Sequence, residues 1–259
     1  MLSGDFLELA DSGSGVFLRA EYRSRCHMRN CPSTLFLLLI AFSPATSFAQ
    51  IDEDQLGAWY MYFFDARSEQ NQWGFQGDVQ YRNWDMLGDL EQLLLRGGLT
   101  WRPQSNDAMF TLGLANITNG EFGSGDSTSS ENRVYQEALL PQKIGSRVYL
   151  RHRFRYEQRW VDGQDFRTRF RYAIFMNVPL NGDNLGKGAW YLSLYNEIFI
   201  NGERDIGDGR TVELFDRNRF YAAIGYSIQD RLKLQTGFMH QYTDGWEKTQ
   251  FQLSLHHSF

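Results

Sequence analysis

The segment SRVYLRHRFRYEQRW (146–160) admits few folds. Its odd positions are Arg147, Tyr149, Arg151, Arg153, Arg155, Glu157 and Arg159. Its even positions are Val148, Leu150, His152, Phe154, Tyr156, Gln158 and Trp160. A solvated helix has no use for the aromatics, and a core strand would not carry the charges. A strand points successive side chains to opposite faces, so this one separates a charged side from an apolar side. The segment FRTRFRYAIFMNV (166–178) repeats the pattern, with Arg167, Arg169 and Arg171 on one face and Phe166, Phe170, Tyr172, Ile174 and Met176 on the other.

Soluble sandwiches also alternate, so the extent of the pattern matters. It recurs at Trp73, Phe75, Val79 and Tyr81 against Gln76, Asp78, Gln80 and Arg82, and again in WYLSLYNEIFIN (190–201), RNRFYAAIGYSI (217–228) and LKLQTGFMHQY (232–242). The chain ends on FQLSLHHSF, in which Phe259, His257, Leu255, Leu253 and Phe251 share one face. Near the other end, Met28 and Arg29 precede the apolar run LFLLLIAF (35–42) and the small residues of SPATSFA, ending at Ala49. A basic start, a short apolar run and small residues form a secretory signal peptide, and the run is too short for a spanning helix. Residues 28–49 are therefore expected to be a leader, 1–27 a non-native upstream extension from a misplaced start codon, and 50–259 the exported barrel. Both cysteines, Cys26 and Cys31, precede the expected cleavage site, so the exported part has neither disulfides nor thiolate metal sites. It also has no apolar stretch long enough for a spanning helix, so membrane insertion would require a closed barrel.

The expected fold is an all-β, transmembrane, antiparallel up-and-down barrel of 10–12 strands behind a cleaved signal peptide. Candidate strands fall at 57–66, 72–83, 91–102, 107–117, 132–141, 146–161, 165–179, 188–201, 217–228, 230–242 and 246–259. Single-chain bacterial barrels carry an even number, so eleven segments point to ten or twelve strands, with the uncertainty in 51–102. With the C-terminus on the periplasmic side, the polar loops 118–131 and 202–216 lie outside the cell, and PQKIGS and SIQD form inner turns.

An outer-membrane family, domain of unknown function 2490, is what the chain resembles in GAWYMYF (57–63), QYRNW (80–84), LLLRGGLTW (93–101), RHRFRYEQRW (151–160), RTRFRYA (167–173) and LYNEIFIN (194–201). The resemblance covers most of the exported chain and implies a bacterial outer-membrane barrel, without implying a reaction or substrate. Lumen chemistry, though no motif, is similar to that of small monomeric porins for acidic oligosaccharides. The C-terminal Phe259 resembles the assembly signal of outer-membrane proteins, with His257 standing where an aromatic is more usual.

The candidate site is the arginine face: Arg151, Arg153, Arg155, Arg167, Arg169 and Arg171, with Glu157, Glu197 and Asp78 as counter-charges. Treating 161–165 as a hairpin places Arg155 opposite Arg171, Glu157 opposite Arg169 and Arg159 opposite Arg167, and brings Glu197 near Arg171. Counting Arg147, eight arginines on these two strands then face inward against one glutamate. Two readings follow. Asp78, Glu137 and Glu197 could knit the arginines into a salt-bridged plug, or the arginines could line a narrow anion-preferring passage, since guanidinium pairs with carboxylate and phosphate. An enzyme is the alternative class, a lipid- or lipopolysaccharide-modifying barrel using His240 beside Glu247 and Asn218, but no outward serine accompanies it. His152 faces outward with no expected partner, and the histidines of HHS (256–258) face opposite sides. The tryptophans are expected at strand ends, as interfacial belts. No motif for a metal or cofactor is present, and neither is expected. The expected partners are outer-membrane lipids, the barrel-assembly machinery and small anionic solutes. The protein is expected to be monomeric, and an exported chain of net charge −5 with internal arginines is a poor ligand for nucleic acid.

Overall fold

The computed structural model describes residues 51–67, 71–123 and 125–259. The expected leader and upstream extension, with both cysteines, lie outside these residues. Eleven strands follow in order: β1 (Gly57–Arg67), β2 (Trp73–Asn83), β3 (Leu90–Trp101), β4 (Met109–Gly120), β5 (Thr128–Ile144), β6 (Val148–Val161), β7 (Arg167–Pro179), β8 (Trp190–Asn201), β9 (Phe215–Gln229), β10 (Leu232–Tyr242) and β11 (Glu247–Ser258). Each pairs with its sequence neighbours, and β1 pairs with β11 to close the barrel.

The closure corrects the even-number expectation. Each hairpin reverses the chain, so β1 and β11 run the same way and can meet only as a parallel pair. They do so from Gly57↔Gln250 to Asp65↔Ser258. All eleven segments legible in the sequence were strands, and the parity rule was what failed. The other pairs are antiparallel. With an odd number of strands, β1 begins at one mouth and β11 ends at the other. These are called the entry end and the exit end.

Connections at the entry end are 84–89, 121–127, 162–166, 202–214 and 243–246, and the tightest exit-end turns are 145–147 and 230–231. Gly145 and Gly163 hold φ of 59° and 67° in two of the short turns, a left-handed conformation that costs glycine little. Strand β5 runs further at both ends than the sequence reading of 132–141, and leaves 121–127 as its connection to β4. Arg147 falls in the exit-end turn, not on β6. Its guanidinium donates to Pro179 O at 2.7 Å, which removes it from the luminal set.

Alternation sorts the two faces along nearly every strand. Outward stand Phe75, Val79, Leu99, Leu112, Leu114, Phe154, Phe170, Phe220, Ile224 and Phe238, all exposed. Trp73, Trp160 and Trp190 sit exposed at strand ends. Trp59 departs from that pattern, because its indole is buried inside the barrel in a cluster with Tyr221, Ala223 and Met239. Glycines make room for inward tyrosines. The ring of Tyr135 covers Gly113 and that of Tyr191 covers Gly225, where an added Cβ would overlap the aromatic atoms.

Candidate functional site

The hairpin register read from the sequence holds. Arg155 stands opposite Arg171, Glu157 opposite Arg169, and Arg159 opposite Arg167. Like charges directly across a strand pair repel, so carboxylates must interleave, and four glutamates do. Glu157 accepts from Arg169 Nε at 2.9 Å and from Arg171 Nη1 at 2.6 Å, and Arg133 and Arg155 each approach it to 3.8 Å. Glu197 accepts from Arg171 Nε at 2.8 Å and Arg153 Nη2 at 2.6 Å. Glu137 accepts from Arg155 Nε at 2.7 Å, from Gln76 at 3.1 Å, and lies 3.8 Å from Arg153. Glu131 takes both Arg133 Nε at 2.6 Å and Arg159 Nη2 at 3.1 Å. Asp216 extends the chain from Arg169 at 2.7 Å to Arg217 at 3.2 Å. The result is a continuous lattice on β5–β9 with Glu157 at its node.

Of the counter-charges expected from sequence, Glu157 and Glu197 join this lattice and Asp78 does not. Asp78 is held by Arg96 of β3 at 2.9 Å, the residue opposite it in register, and by Gln80. Glu137 matches the plug reading. Sequence reasoning placed Arg82 on the polar face but left it out of the site, and missed Glu131 and Asp216 near strand ends and Arg96, Arg133, Arg217 and Arg219 among the cations. Their inward parity was available as soon as each strand's phase was set.

The remaining wall, β9–β11 with β1, sets the cations Arg219, Lys233 and Lys248 singly among neutral side chains. Gln241, Gln250, Gln252 and Ser254 are buried there with Trp59, Met239 and Tyr221. Arg82 and Arg219 place their guanidinium carbons 3.8 and 4.8 Å from the Trp59 ring centroid, a cation–π arrangement. The indole N–H donates to Glu91 at 2.8 Å. Among the described residues, Arg82, Arg151, Arg167 and Arg219 have no carboxylate within 4.0 Å. The cations therefore exceed what the lattice neutralises.

A cavity of about 620 Å³ runs between these walls, lined by residues from both ends. Its accessibility is lopsided. Along β6, Arg151 is exposed, Arg153 keeps 16% of its side chain accessible, and Arg155 and Glu157 keep 5% and 1%. Near the entry end, Arg159, Arg167, Arg169, Arg219, Lys248 and Gln250 are all buried. There the β8–β9 loop folds back on β7: Glu203 accepts from the Thr168 hydroxyl at 2.8 Å and from its backbone N–H. Trp84 packs edge to face on Phe122 and Trp246, near the Lys248 ammonium.

The model of one protein family matches residues 56–252. The chain belongs to DUF2490, a family of proteins of unknown function. No curated protein matches it, and no solved structure does. The family assignment agrees with the resemblance seen in the sequence, and the chemistry of this DUF2490 barrel is read from its side chains.

The outward histidines each have defined neighbours. His240 lies 3.5 Å from Glu247 and 3.3 Å from Thr249 Oγ1, and its register neighbours are Phe220 and Thr249, with no serine beside it. Asn218 turns away to exchange hydrogen bonds with Asn196. His152, expected to have no partner, is bracketed by Tyr172 Oη at 2.9 Å and Gln142 Oε1 at 3.1 Å. Histidines 256 and 257 do face opposite sides: His256 stacks on Phe63 at 4.8 Å inside, and His257 meets Tyr62 outside.

Proposed function

We propose that this protein is a monomeric, non-enzymatic β-barrel of the bacterial outer membrane, closed midway by its ion-pair lattice and open as a cationic vestibule at the exit end. The fall in exposure along β6, from Arg151 to Glu157, carries the reading. Both sequence-level alternatives then apply, each to half of the lumen: a salt-bridged plug towards the entry end and an anion-attracting chamber towards the exit.

Membrane residence is supported by the outward apolar faces, by tryptophans at strand ends and by ring closure, which leaves no unpaired sheet edge for hydrocarbon to meet. The leader-like run before Ala49 and the terminal Phe259 agree with export and with assembly machinery as a partner. The longest connection, 202–214, lies at the entry end, and the two-residue turn 230–231 lies at the exit. Long loops outside and tight turns inside favour a vestibule facing the periplasm. Anionic solutes would then reach it from within the cell envelope.

The test is planar-bilayer conductance of the refolded, heat-modifiable barrel under a salt gradient. The expected record is silent or shows brief openings only. Steady anion-selective conductance would overturn the closed lumen and restore the passage.

A further inference from the structure

Resting on that reading, we infer that the exit vestibule is a binding site for a compact polyanion, a small solute carrying phosphate or carboxylate groups, held between Arg151 on one wall and Lys233 with His256 on the other.

The barrel order places β6 across the lumen from β10 and β11, four and five strands away. Lys233 and His256 are direct register partners. Arg151 lies within electrostatic reach of both, and all three line the same cavity. None of the three has a carboxylate within 4.0 Å among the described residues. Two acids lie nearby, each bonded through one oxygen, and Asp65 Oδ1 is buried without a partner. Asp65 is paired with Arg102 at 2.6 Å, and Asp230 accepts from the Lys187 backbone N–H at 2.8 Å.

Two cations facing one another across a narrow space repel, and an anion between them removes the repulsion while gaining charge-assisted hydrogen bonds. A second observation points the same way. Arg153 and Asn177 line this cavity, and Arg153 Nε, 3.8 Å from Glu137 Oε2, and Asn177 Oδ1 are buried without hydrogen-bond partners. Buried polar atoms are ordinarily satisfied, so a donor and an acceptor stand ready for a hydroxylated or phosphorylated solute. The aromatic faces nearby are occupied, Phe175 by the guanidiniums of Arg151 and Arg153 at 4.8 and 5.0 Å, and Phe63 by His256. The aromatics thus orient the cations and leave little ring surface for stacking. This favours a compact, charged ligand.

The experiment is isothermal titration of the folded full-length chain in detergent at low ionic strength, with inorganic pyrophosphate in one arm and digalacturonate in the other. Pyrophosphate alone binding would assign a phosphate-bearing solute, digalacturonate alone a carboxylated one, and both a general polyanion site. The double variant Arg151→Gln/Lys233→Gln should weaken binding at least about tenfold, as loss of charge-assisted bonds requires. Arg204→Gln, the same change in charge in the entry-end loop where Arg204 pairs with Glu213, should leave it unaltered. Lys233→Arg should retain binding, which separates lost charge from lost folding. No binding of either probe by a heat-modifiable barrel, or unchanged binding in the double variant, would overturn the site. Steady conductance with intact binding would defeat only the closed-lumen reading, and a silent barrel without binding would defeat only this one.

Discussion

The two walls of the lumen solve one packing problem with different chemistry. On β5–β8, arginines and glutamates stand between inward aromatics such as Tyr135 and Phe199, and they form a lattice in which Glu131, Glu137, Glu157 and Glu197 each serve at least two arginines. On β9–β11 and β1 the interior is mostly amide, hydroxyl, tyrosine, methionine and tryptophan, with the cations Arg219, Lys233 and Lys248 set singly among them. The charged wall is cooperative, since each carboxylate removed leaves several cations unbalanced. The amide wall is modular, since its side chains bond locally or pack by shape, with Gln241 Nε2 and Gln250 Oε1 left buried without partners. This difference places the parallel seam as well. Parallel pairing is slightly weaker per residue, and here it joins strands that face the lumen with Trp59, Met61, Gln252 and Ser254, not with opposed charges.

The largest effect that would sharpen this contrast is expected at the node. Glu157→Gln keeps the side chain's shape but strips the countercharge from Arg169 and Arg171, with Arg133 and Arg155 close by. Breaking a buried pair from one side costs about 3–5 kcal/mol. Two cations depend on this carboxylate directly, so the upper part of that range is expected. Refolding yield in urea, read by the heat-modifiable shift on gels, measures it. A loss under ~1 kcal/mol would mean that water already screens the lattice, and the two walls would not differ as argued.

The sequence showed much of this architecture through parity alone. Period-two alternation found every strand, and the short 161–165 loop fixed the β6–β7 register to the residue, because a tight hairpin leaves no room for slip. Two features stayed hidden. Strand number was judged by a rule about other barrels, although the eleven segments stood in the sequence, and a parallel seam leaves no local signature in either strand. The partner of Asp78 was hidden for a related reason. Choosing between Arg96 and the β6–β7 arginines required the β2–β3 register, which a six-residue loop, 84–89, and a bulge at Arg82/Asn83 obscure. Arg147 shared the parity of the luminal arginines and lay one residue before the strand, where parity no longer applies.

A smaller effect is expected where the walls share a device. Gly113 on β4 and Gly225 on β9 each lie under a tyrosine ring, Tyr135 and Tyr191, and an added methyl would displace aromatic atoms in both places. Overpacking of this kind costs about 1–3 kcal/mol. Gly113→Ala should sit at the upper end, because Arg155 rests over Tyr135 at 4.5 Å and through it the lattice would shift. Gly225→Ala disturbs Tyr191, whose hydroxyl accepts a 3.0 Å bond from Gln235 and touches no lattice member. Urea midpoints of the two variants decide it. Equal losses, or the larger at Gly225, would show that strain spreads no further on the charged wall than on the other.

The smallest effect belongs to the amide wall itself. Gln252 is buried at the seam, opposite Trp59 in the parallel register, and its side-chain amide makes a long 3.5 Å contact to the Tyr195 hydroxyl. A bond of that length contributes little, and methionine fills nearly the same volume with a flexible apolar chain. Gln252→Met should therefore change stability by less than about 1 kcal/mol, even though Gln252 is buried as deeply as Glu157. Tyr195 retains its stacking on Tyr221 at 4.9 Å, so its ring should not reorient. The urea midpoint set beside that of Glu157→Gln is the informative pair. If both variants fell by comparable amounts, burial alone would govern the lumen, and the distinction between a cooperative and a modular wall would be lost.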